Sequence, residues 1–128
     1  MRVFKNKAFA RFAERNRIPD EDLCAAVARA LHGLINADLG GGVIKQRIAR
    51  KGEGKSGGFR SMILFRANLR AVFVHGFAKK DVANIDAGEL KALKQLAKVV
   101  LAYSEAEITA AAASGVFVEV KCDGETIS

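Results

Sequence analysis

The chain has 128 residues, half of them hydrophobic and 27% charged, with a single proline; that balance excludes a disordered tail and predicts one domain spanning 1–128, because a chain of about this length buries roughly two thirds of its unfolded surface in one core. No run of about 18 apolar residues occurs and MRVFKNKAF lacks a signal-peptide core, so a membrane span is excluded and a cytoplasmic protein is expected. The net charge is +7, and its distribution along the chain says more than its total.

In chain order, Val3 and Phe4 predict a short edge strand, and Phe9 and Phe12, three apart, predict a first helix ending near Arg17. Pro19 followed by Asp20, Glu21 and Asp22 marks a second helix start, since proline fits the first turn and carboxylates there complement the helix dipole. Leu23, Val27, Leu31 and Leu34 form its apolar stripe, with Cys24 and His32 beside it in packing roles. Cys24 and Cys122 belong to no metal-binding spacing and suggest no disulfide framework, a usage that fits a reducing compartment. With His32 and His75 as the only histidines, no metal and no cofactor are expected.

Gly40 to Gly42 interrupt the pattern, and VIKQRIAR then reads as a strand. FRSMILF and AVFVHGF, joined by a turn at Ala67 and Asn68, read as a hairpin, which gives three adjacent antiparallel strands. Asp86 with Glu89, and Ser104 with Glu107, resemble capping boxes opening two further helices, the first with a stripe of Leu90, Leu93, Leu96, Ala97, Val100 and Leu101. Gly115 stops the last helix and FVEVKC forms a terminal strand. The order β-α-α-β-β-β-α-α-β predicts an α+β fold with segregated layers, without the regular alternation of a parallel sheet.

Between Lys45 and Lys80 lie ten basic residues against one acid, Glu53, while the rest of the chain holds 11 basic and 13 acidic residues. The excess charge therefore occupies one contiguous third, either as a footprint for a polyanion or as a solvated basic surface. Within it, RKGEGKSGGFR superficially suggests a nucleotide-phosphate loop. The pattern needs a glycine at position 49, which is Ala49, and a helix afterwards, where GFRSMILF reads as a strand. A plain glycine-rich turn explains the glycines but not the crowding of Arg50, Lys51, Lys55 and Arg60. Those cations point to phosphate from a polymer.

The run IARKGEGKSGGFRSMILF, followed by RAVFVHGFAKKDVANI and a leucine-rich helix, resembles the RelE-like toxins of bacterial type II toxin–antitoxin systems, in the HigB branch, over nearly the whole chain. The resemblance implies a small antiparallel sheet packed against an N-terminal helical hairpin and C-terminal helices, an endoribonuclease that cuts messenger RNA on the ribosome, a cognate antitoxin with a helix-turn-helix domain, and operator DNA contacted only through that antitoxin. It carries catalytic roles onto Arg60, Lys55 and Lys79, with Lys80 less directly matched. The tyrosine that several relatives place after the last basic motif is missing, where this chain reads ANID.

Attack by the 2′-hydroxyl needs a base, cations for the phosphorane charge and an acid for the 5′-oxygen. Arg60 suits the cation role, because its planar fork holds two phosphate oxygens and stays charged. Lys55 or Lys79, with neighbouring cations lowering its pKa, suits the base; His75 at the end of a strand is a further acid or base. Glu53 either serves as base or moderates the local charge. Phe59 and Phe77 either stack on bases or pack in the core. Lys45, Arg47, Arg50, Lys51, Ser56 and Lys80 complete the expected RNA contacts. Two other functions compete: a non-catalytic RNA- or DNA-binding module, which would leave the strand whole, and a ParE-type toxin acting on gyrase, which generally lacks these cations.

Overall fold

The computed structural model describes residues 1–49, 58–78 and 85–122. The chain runs β1 (Arg2–Asn6), α1 (Lys7–Arg15), α2 (Asp20–Leu31), β2 (Ala37–Gly40), β3 (Val43–Ile48), β4 (Phe59–Arg66), β5 (Arg70–Ala78), α3 (Ala87–Val100), α4 (Glu105–Ala113) and β6 (Phe117–Val120). This is an α+β architecture whose six strands form one sheet in the order β2-β3-β4-β5-β1-β6. The sheet is mixed, not antiparallel throughout, because β1 runs parallel to β5 with Val3 opposite Ala71 and Phe4 opposite Val72.

The position of β1 corrects the expected edge strand. Val3 and Phe4 are both fully buried, and they join different cores on opposite faces of the sheet. A strand that is apolar on both faces belongs inside a sheet, and β6 supplies its second neighbour. One core gathers Phe9, Ala13, Leu23, Val27, Ile44, Ile63 and Phe73 under α1 and α2. The other gathers Phe4, Val43, Leu64, Val72, Val100 and Ile108 under α3 and α4.

Local signals explain the helix ends. Asn6, Asp86 and Ser104 each accept a hydrogen bond from a backbone N–H in the first turn of α1, α3 and α4, and Ser104 with Glu107 completes a reciprocal capping box. α2 ends at Leu31, one turn before the expected stripe does, because Gly33 adopts φ 86° and turns the chain away. Leu34 is therefore 64% exposed, and His32, expected to pack, is an exposed C-cap residue. Leu96 likewise falls outside the core of α3.

The cysteines require a second correction. Cys24 on α2 and Cys122 just after β6 form a disulfide across 98 residues, with Cα atoms 5.7 Å apart. Distance along the chain was no guide here, because α2 packs across the end of β6; Asp20 at its start bonds the Lys121 N–H and pairs with Lys5 at 3.1 Å. The argument from unpaired cysteines to a reducing compartment falls with this pairing. Among the described residues, no helix is long and apolar enough to cross a membrane.

Candidate RNA-facing site on the central strands

The register of β3, β4 and β5 assembles the site. Arg47 lies opposite Arg60, and Arg60 opposite Phe77, making one row across three strands. Two residues along, Lys45, Met62 and His75 make a second row on the same face, because side chains two apart on a strand share a face. A bulge between Met62 and Ile63 sets this face in β5. Val74 joins the core beneath α3 while His75 beside it remains exposed. Bulges re-aim side chains in this way. The rings of His75 and Phe77 lie 5.8 Å apart at 33°.

Several buried contacts fix that register. Gln46, fully buried in β3, donates from Nε2 to the carbonyls of Ala26 and Leu34, and its Oε1 accepts from the Asn36 N–H. Asn36 in turn accepts from the Arg47 N–H at 2.7 Å. Ser61 Oγ donates to the Gln46 carbonyl across to β4. At the start of β4, a Cβ on Gly58 would stand 2.8 Å from the Ile48 carbonyl oxygen, so only glycine brings β4 this close to β3 at the level of the arginine pair.

Electrostatically, Arg60 is half-buried, and burial and then the charge of Arg47 push its guanidinium below the usual arginine pKa. Arg29, which the sequence reading missed, shows the same direction from the same two causes, and its Nη2 donates to the Arg47 carbonyl. No local pattern marks Arg29; only the docking of α2 on β3 brings it there. Arginine remains protonated at physiological pH despite such shifts. Like charges held together under partial burial are stabilised when an anion lies among them.

Not every basic residue of the charged third belongs here. Arg70 is 1% exposed, and its Nη1 donates at 2.8 Å to the carbonyls of Val100 and Tyr103 at the end of α3, while Nη2 pairs with Glu105. Arg66 is exposed at the far hairpin turn. Phe59 is buried edge-on against Phe12, with ring centroids 5.6 Å apart, which assigns it to packing. Lys55, Lys79, Arg50, Lys51, Ser56, Lys80 and Glu53 lie outside the described residues. The strands on either side end together, with Ile48 opposite Phe59 and Phe59 opposite Ala78.

Beside the two rows, Val74, His75, Ile85, Glu89, Ala92 and Leu93 line a cleft of about 260 Å³ between β5 and α3. Among the described residues, no group of three or more His, Cys, Asp or Glu is placed to hold a metal ion. The arrangement can grip a phosphodiester with Arg47 and Arg60 and present an imidazole beside it.

No curated protein matches the chain at a significant level. The sequence model for the RelE toxin of the RelE/RelB toxin–antitoxin system, in contrast, matches residues 1–120, nearly the whole length over which the basic rows and both helical layers are built. The chain belongs to the RelE toxin family.

Proposed function

We propose that this chain is a toxin that cuts messenger RNA bound to the ribosome, by attack of a 2′-hydroxyl on the adjacent phosphorus with no metal ion. The observation that carries the reading is the Arg47–Arg60 pair, two half-buried cations facing each other across β3 and β4 and each aligned toward one sheet face. Arg60 holds non-bridging oxygens as the phosphorane gains charge, and Arg47 shares that load. His75, exposed on the neighbouring row, moves a proton to or from the reacting oxygens. Lys55 and Lys79 keep the roles that the family resemblance gives them.

The same resemblance supports placement in the HigB branch, neutralisation by a helix-turn-helix antitoxin and a cytoplasmic site of action. Inducible expression with mapping of message 5′ ends tests the proposal. The wild-type chain generates new ends and growth arrest, and Arg60→Ala lowers the cutting rate by about a hundredfold, the usual effect of removing a group that stabilises developing oxyanion charge. New ends produced equally by both forms would remove Arg60 from the chemistry.

A further inference from the structure

We infer that the cleft between β5 and α3 is a base-binding subsite that selects guanine through the Glu89 carboxylate. The inference deepens the reading above and rests on it. Three observations converge.

The first is position. Val74 and His75 form one wall of the cleft, and His75 also ends the Lys45–Met62–His75 row. Phe77, opposite Arg60, lies two residues further along β5, about 7 Å at strand rise. A phosphate between Arg47 and Arg60 thus leaves its own or the neighbouring base within reach of the cleft.

The second is shape and surface. Ile85, Ala92, Leu93 and Val74 give apolar walls, and about 260 Å³ suits one planar base rather than a larger ligand. Single-stranded RNA is read in this manner, with splayed bases set against rings and apolar side chains while their edges meet polar groups. The His75 ring supplies such a face, and the tilted Phe77 ring continues it.

The third is the chemistry of the polar wall. An ionised carboxylate only accepts hydrogen bonds, and its two oxygens suit two adjacent donors. Guanine alone presents such a pair, at N1–H and the N2 amino group. Adenine and cytosine set one amino group beside an acceptor, and uracil sets one N–H between two carbonyls, so each brings a lone pair toward the carboxylate. Glu89 stands in the first turn of α3, where its backbone N–H donates to Asp86 Oδ1 at 2.7 Å, and its exposed side chain lines the cleft opposite β5. Its negative charge also excludes phosphate from the cleft and leaves that group to the arginines.

Titration of the full chain with GMP and with AMP, followed by NMR, tests the subsite without requiring cleavage. GMP binds about tenfold more tightly than AMP, the discrimination expected of one bidentate contact, with shifts at His75, Ala92 and Leu93. Glu89→Gln brings the two nucleotides to near parity, and Ala92→Leu, which fills the cleft, weakens both. Equal binding by the wild-type chain, a guanine preference retained in Glu89→Gln, or unchanged binding in Ala92→Leu would each overturn the inference. Mapped cut sites separate it from the proposed function. Cleavage whose flanking bases are the same in wild type and Glu89→Gln defeats the subsite and leaves the nuclease standing; guanine-selective binding without cleavage does the reverse.

Discussion

At the residue scale, the same chemical type does opposite work in different places. Arg60 lies half-buried facing another cation, whereas Arg70, ten residues on, is wholly enclosed and donates to two carbonyls and Glu105. Composition counted both in one basic third, and only the fold separates the half-buried cation from the enclosed one. Gly76 shows a similar limit. Its place before Phe77 suggested nothing, yet a Cβ there would stand 2.4 Å from the Phe12 ring. Gly76→Ala must displace that ring, and we expect a loss of about 1–3 kcal/mol in urea unfolding, typical of overpacking. A midpoint equal to wild type would mean that Phe12 moves aside freely.

At the element scale, periodicity and caps were legible: α3 and α4 begin where Asp86 and Ser104 mark them, and the β4–β5 hairpin turns at Asn68, which adopts φ 64°. Pairing between distant segments was not legible. β1 became an inner parallel strand, and β2, with the short sequence ADLG, carries too little alternation to be recognised. The C-terminal layer is clasped by charge as well. Arg2 pairs with Glu119 at 2.9 Å and with Glu105 at 3.1 Å, and both carboxyls are held below their usual pKa, chiefly by hydrogen bonds from Arg2. A depressed folded-state pKa contributes stability above the unfolded value, about 4.3, that is lost as pH falls through the folded value. Acid titration followed by circular dichroism therefore shows wild type losing stability below about pH 4 more steeply than Arg2→Met; equal slopes would contradict the clasp. The Cys24–Cys122 link closes a loop of 98 residues in a chain of 128, so reduction should lower stability by about 2–4 kcal/mol and lower the melting temperature. An unchanged melting temperature after reduction would show that the link constrains little.

At the scale of the whole molecule, two helical layers cover both faces of one sheet, and the central strands bring Lys45, Arg47, Arg60, His75 and Phe77 together near one end. The family and the α+β class were readable because they rest on contiguous motifs and on the order of elements. The part of Arg29, the structural role of Arg70 and the Glu89 cleft depend on docking across the fold, which one-dimensional spacing does not encode. The central claim is that these cations act on RNA chemically and do not merely hold it. Incubating the purified chain with ribosome-bound message and analysing the fragment ends tests it most directly. Upstream fragments should end in a 2′,3′-cyclic phosphate and form about a hundredfold more slowly with Arg60→Ala. Message that stays intact while the protein remains bound, or upstream fragments that end in a free 3′-hydroxyl, would contradict it.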